Sequence, residues 1–221
     1  MNRKICTLKR LLWYLKPRCT ASNVCQIEIG ERQFLYTDHI QTSKHLFQLF
    51  EDYCFTAKSL QEKYRSQITT FIGTEIDWIR ESSRGIIESL LSASELDLFI
   101  GSVHHVHTIP IDYSVTMFQA ALHESGGSLE KLYEDYFDAQ NDMLLALKPP
   151  IVGHFDLIRL KSGCPNEPFK KTSNVWRKIQ RNLETMLAYG GVMEVNSAAL
   201  RKGLEEPYPK MEICQASEYI L

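Results

Sequence analysis

Ile72-Gly73-Thr74-Glu75-Ile76-Asp77-Trp78, Gly101-Ser102-Val103-His104-His105-Val106-His107 and Val152-Gly153-His154-Phe155-Asp156-Leu157-Ile158-Arg159 follow one pattern. Each reads as an apolar strand that closes on a small residue and then on a side chain able to bind a metal. Parallel strands deliver their carboxyl-terminal side chains to a common rim, where α/β barrels keep their active sites. One glutamate and two histidines brought to such a rim can hold divalent cations.

The sequence around these segments supports an alternating fold. Residues 42–65 carry Leu46, Phe47, Leu49, Phe50, Tyr53, Ala57, Leu60 and Tyr64 at helical spacing. Residues 68–79 are rich in β-branched and aromatic side chains and read as a strand. A short helix is expected over 83–91, and a second strand over 96–106. Residues 129–147 place Leu132, Tyr133, Tyr136, Phe137, Leu144 and Leu147 on one stripe of a long helix, which Pro149-Pro150 ends. A third strand is expected over 151–158, then a polar loop over 162–173. Residues 174–189 form a further amphipathic helix through Val175, Trp176, Ile179, Leu183, Met186 and Leu187, stopped by Gly190-Gly191. A fourth strand follows over 192–195. Strand–helix alternation of this kind means parallel strands with right-handed crossovers.

At 221 residues the chain has room for one domain with a substantial core. Its formal net charge of -2 gives no electrostatic reason to expect nucleic acid. It contains no apolar run of about 18 residues, the length a membrane helix needs. The six cysteines are scattered without a C-x-x-C pair, which suits reduced thiols and a cytoplasmic location. The first 24 residues hold six Lys or Arg and no acid. The expected organisation is an atypical basic leader over 1–30, a domain over 31–214 and a tail over 215–221.

Several residues have both a chemical and a plain reading. Glu75 is a metal-bridging carboxylate or a solvated loop acid. In an extended strand His105 and His107 share a face while His104 takes the other, so the cluster offers an H-x-H pair or one functional His with two neighbours. His154 and Asp156 fit a ligand with its orienting carboxylate, or a buried His bonded to backbone. Arg159, Arg201 and Lys202 are basic groups for a phosphate, Arg being suited to a bidentate grip. The segment from Asn196 to Gly203 presents amide, backbone N–H and guanidinium groups to an oxyanion, or is an ordinary short helix. Trp78 and Trp176 read as core or pocket wall.

The stretches IGTEIDWIR (72–80), FIGSVHHVHTIPID (99–112), YFDAQNDM (136–143), IVGHFDLIR (151–159) and VMEVNSAALRKG (192–203) together resemble the polymerase-and-histidinol-phosphatase (PHP) superfamily, and within it the fungal-type histidinol-phosphatases. The resemblance implies a distorted barrel of about seven β/α units. It also implies up to three divalent metal ions (Zn, Mn or Fe) at the carboxyl rim. By position, Glu75 resembles the bridging carboxylate, and His104 and His154 resemble metal ligands, which places His104 rather than the His105/His107 pair at the metal. Arg159, Asn196 and Arg201 are the implied contacts to a small phosphomonoester, L-histidinol phosphate, hydrolysed by a metal-activated water. No nucleic-acid or membrane partner is implied. The family's opening H-x-H and closing Asp-x-His motifs are not found, so the barrel is expected to be incomplete at both ends. The alternative expectation is an inactive PHP-like fragment with at most a binding role.

Overall fold

The computed structural model of the protein describes residues 43–93, 95–169 and 173–218. The basic leader and the last residues of the tail lie outside the described residues. Two compact units are present. One comprises the described residues through Ile76 together with Ile86–Phe99; the other comprises Asp77–Gly85 and the described residues from Ile100 onward.

The first unit is built on α1 (Ser43–Tyr64), which has the extent its apolar spacing predicts. Phe50 and Ala57, two turns apart, are buried. The Tyr53 hydroxyl donates to the Gly73 carbonyl at 2.6 Å and fixes the helix against the start of β1 (Gly73–Asp77). Asp97 ties the same corner together, its Oδ2 accepting from Ile72 N at 2.6 Å and from Gln61 Nε2 at 3.1 Å. The strand is shorter than the expected 68–79. Ile68 and Phe71 are 40% and 53% exposed, so β-branched and aromatic content there meets no surface to pack on. Most of α2 (Arg84–Ala93) also belongs here and buries Ile87 and Leu90.

The second unit carries a parallel sheet. β2 (Leu98–Ser102), β5 (Ile151–Val152) and β6 (Val192–Met193) run parallel. Ile100 and Gly101 pair with Ile151 and Val152, which pair in turn with Val192 and Met193. The strand order is β1-β2-β5-β6, with β1 and β2 each contributing residues to both units. The fold class is therefore mixed α/β with a parallel sheet.

Two expected strands are corrected. The strand over 96–106 stops at Ser102. His105–Val106 forms a separate strand, β3, in an antiparallel hairpin with β4 (Ile109–Pro110). His107 and Thr108 make its turn with φ of 54° and 63°, the left-handed pair that suits a two-residue hairpin. The strand over 151–158 ends after Val152, and Leu157–Lys161 coils into a 3-10 helix.

The helices that cover the sheet follow their sequence signals closely. α4 (Leu129–Leu147) and α5 (Asn174–Ala188) are N-capped by Ser128 and Ser173, whose hydroxyls accept from the backbone N–H three residues on. Leu132, Tyr136, Phe137 and Leu144 of α4 are buried, as are Val175, Trp176, Ile179, Leu183 and Met186 of α5. Two helices have no counterpart in the sequence reading: α3 (Val115–Glu124) and α7 (Met211–Glu218). The second spans the expected boundary at 214/215. Between β6 and α7 lies the short α6 (Ala198–Arg201).

Candidate metal and phosphate site

The parallel register sets the geometry of the site. Gly101 pairs with Val152, and Gly153 N donates to the Gly101 carbonyl at 2.9 Å, so β2 and β5 end side by side. His104 follows β2 by two residues and His154 follows β5 by two. Their rings meet edge to face with centroids 4.7 Å apart, and their ligand nitrogens lie within 4.8 Å of one another. Two imidazole nitrogens on one tetrahedral ion stand roughly 3–4 Å apart. The pair therefore fits a borderline divalent cation with little rearrangement.

Carboxylates at the ends of the flanking strands hold the two backbones. Asp77, the last residue of β1, accepts from His104 N at 3.0 Å through Oδ1. The same oxygen lies 3.4 Å from His104 Nδ1, and Oδ2 lies 2.8 Å from His105 Nδ1. Burial pushes the Asp77 carboxyl up, but the imidazoles of His105 and His104 outweigh it and hold the group well below the usual carboxylate range. On the other flank Glu194, directly after β6, accepts from His154 N at 3.1 Å and from Asn196 Nδ2 at 3.0 Å. His154 has φ of 24°, a left-handed geometry that no side chain favours. Neither Asp77 nor Glu194 received a role from sequence. The available signal was the one already used for the histidines, a metal-capable or acidic side chain at each strand's carboxyl end.

The three histidines of the cluster separate. His104 is half-buried beside His154, and the His105 side chain is 0% exposed against Asp77. His107, in the hairpin turn, points to the α3–α4 corner. Its Nε2 is 3.0 Å from Ser125 Oγ and 3.1 Å from Asp135 Oδ2. The shared face expected for His105 and His107 is absent because the chain turns at His107 instead of extending.

Asp156 does not orient His154. After His154 the chain leaves the extended conformation, and Asp156 turns inward. Its Oδ2 accepts from Arg159 Nε at 2.9 Å and from Lys210 N at 3.0 Å. The same turn removes Arg159 from the rim, which corrects its reading as a phosphate contact. Arg159 is 2% exposed, with Nη1 donating to the Pro165 carbonyl and Nη2 to those of Glu206 and Pro207. Its guanidinium is spent inside the protein. Asn196 is buried, its amide donating to Glu194 while Oδ1 accepts from Ala198 N. Arg201 and Lys202 are exposed at the end of α6. Glu75 belongs to the first unit, half-buried on β1 two residues before Asp77.

An α/β protein with paired histidines at adjacent parallel strand ends is built for metal-assisted chemistry. The chain belongs to the PHP domain family, whose profile matches residues 26–198. It is 37% identical over 204 residues to a probable histidinol-phosphatase of Schizosaccharomyces pombe, a match covering 86% of this chain and 67% of that protein. It is 30% identical over 229 residues to a histidinol-phosphatase of Saccharomyces cerevisiae, covering 89% of this chain and 68% of the yeast protein. A histidinol-phosphatase of Bacillus subtilis is 27% identical over 161 residues, 69% of this chain and 59% of its own length.

Proposed function

We propose that the chain is a histidinol-phosphatase that hydrolyses L-histidinol phosphate to L-histidinol and phosphate. The observation that carries this reading is the imidazole pair of His104 and His154, in a chain similar over most of its length to two yeast proteins of that name. We assign Glu75, His104 and His154 as the ligands for divalent metal. Glu75 and Asp77 are two apart on β1 and so share a face of the strand, and Asp77 already meets His104. When bound, a divalent cation supplies Lewis-acid charge to phosphate oxygens and makes water more acidic near neutrality.

The chain's own residues do the rest. Asp77 and Glu194 hold the two histidine backbones in place. Arg201, exposed at the end of α6, is the residue we assign to the substrate phosphate. Asn196 supports it through the Ala198 N–H and the Glu194 carboxylate. The four strands of the parallel sheet are read as part of the family's distorted barrel of about seven β/α units, within a domain over 31–214. Among the described residues no helix is long and apolar enough to cross a membrane. Cys54, Cys164 and Cys214 are free thiols, which suits a cytoplasmic biosynthetic enzyme.

The test is phosphate release from L-histidinol phosphate by the purified chain, with Zn, Mn or Fe in turn, against a panel of other phosphomonoesters. The expected result is metal-dependent turnover with preference for histidinol phosphate. In His104→Ala and His154→Ala it falls about 100-fold or more, the scale on which losing a ligand exceeds losing its support. No turnover with any metal, or turnover untouched by both substitutions, would overturn the proposal and leave an inactive PHP-like domain.

A further inference from the structure

Two features of Asp77 stand apart from its neighbours. It is a buried carboxylate, 7% exposed, and it touches one residue in two places: His104 N at 3.0 Å and His104 Nδ1 at 3.4 Å, both from Oδ1. Its other oxygen meets His105 Nδ1 at 2.8 Å. A neutral imidazole carries a proton on one nitrogen and a lone pair on the other. A carboxylate beside Nδ1 favours the proton there, and the lone pair then sits on Nε2. A carboxylate on the backbone N–H of the same residue also fixes where that ring starts.

From this geometry we infer that Asp77 is the positioning residue for His104: it selects the tautomer whose Nε2 is available to metal and holds the ring next to His154. The inference rests on the assignment of His104 as a ligand. His105 is the structural half of the arrangement. Its side chain is fully enclosed, with Nδ1 2.8 Å from Asp77 Oδ2. It stands on the Oδ2 side of the carboxylate, and His104 stands on the Oδ1 side. An outer carboxylate of this kind acts through the ligand it orients, and its removal typically costs about 10- to 100-fold in metal affinity.

The test compares the intact chain with Asp77→Asn, Asp77→Glu, His105→Gln and His104→Ala. Three quantities are read: thermal midpoint, imidazole 15N shifts of His104 without metal, and calorimetric affinity for Zn2+ and Mn2+. The expected result is that D77N shifts His104 from the Nδ1–H tautomer to a mixture and weakens metal binding by about 10- to 100-fold. D77E restores part of both. H105Q lowers the midpoint but keeps the His104 tautomer, with affinity within about threefold of the parent. The inference is overturned if folded D77N keeps the parent's tautomer and affinity, or if H105Q reproduces both losses, which would make Asp77 a partner of His105 alone. Should D77N not fold, D77E decides by the same two readouts. H104A separates the two levels of the argument. Unchanged metal affinity in H104A sinks the ligand assignment, whereas the tautomer measurement judges Asp77 without any metal present.

Discussion

Gly153 shows how closely one residue can control the site. A Cβ there would stand 2.6 Å from Ser102 Oγ and 2.9 Å from Ile100 Cγ2. Ser102 is 1% exposed and Ile100 is β-branched, so neither side chain has a second place to go. The missing side chain lets β5 approach β2, and that approach sets His154 against His104. Gly153→Ala is expected to cost about 1–3 kcal/mol of stability, the usual range for overpacking. It should also weaken metal binding, because relief of the clash moves the His154 backbone. A urea midpoint equal to the parent's would show that the strands have slack. The same neighbourhood marks the limit of reading residues from sequence. His104 and His154 were legible because a small residue and an imidazole at a strand's end are local features. The fate of Arg159 was not, because a 3-10 turn of five residues carries it from the rim into the interior. Its partners, Glu206 and Pro207, lie more than 40 positions along the chain.

The elements behind the site are joined by a chain of polar contacts between α4 and α5. Asn182, fully buried on α5, donates through Nδ2 to the Phe137 carbonyl at 2.7 Å and to Gln140 Oε1 at 3.0 Å. Gln140 Nε2 donates in turn to the Phe155 carbonyl at 2.9 Å, which also accepts from the Tyr136 hydroxyl. Phe155 immediately follows His154, so two helices hold the loop that carries the ligand. Gln140→Leu leaves the Asn182 amide and the Phe155 carbonyl each short of a partner inside the protein. The expected loss is about 1–3 kcal/mol, with a larger fall in metal affinity than an exposed control such as Gln180→Leu gives. A Q140L protein as stable as the parent would mean that Tyr136 alone satisfies the carbonyl. The helices themselves were the most legible part of the fold, since α4 and α5 bury long stripes. α3 and α7 escaped because they bury little, Phe118 and Ala121 in one and Ile213 in the other. Strands β5 and β6 were overextended for the opposite reason. Leu157 and Ile158 continue the apolar run after β5 but are buried in a turn of helix, and apolarity alone does not separate the two.

For the molecule as a whole, the sharpest expectation concerns pH. Asp156 is fully buried, and burial pushes its carboxyl up to about 6 against the opposing pull of Arg159. The hydrogen bonds agree with a strained charge: Oδ2 takes both Arg159 Nε and Lys210 N, while Oδ1 has no partner among the described residues. In the unfolded chain an aspartate titrates near its ordinary value of about 4. The folded state therefore binds this proton more tightly than the unfolded state. The stabilisation from this group is fully present below about pH 4 and is lost as pH rises through about 6, after which it stays flat. The fall amounts to roughly 1–3 kcal/mol. Trp78 and Trp176 both belong to the second unit, so tryptophan emission during urea unfolding follows the unit that contains Asp156. Trp13 is replaced by phenylalanine in parent and variant alike, so that the emission comes from Trp78 and Trp176 alone. Asp156→Asn keeps an oxygen for Arg159 and Lys210 but removes the titration. It lowers stability overall by leaving Arg159 without a counter-charge, yet between pH 4 and 6 its profile should be flatter than the parent's. If the ion pair with Arg159 instead dominates over burial, the sign reverses. The parent would then gain stability over Asp156→Asn as pH rises from 3 to 5, and Asp156 would be an ordinary paired carboxylate rather than a buried acid that tolerates its proton.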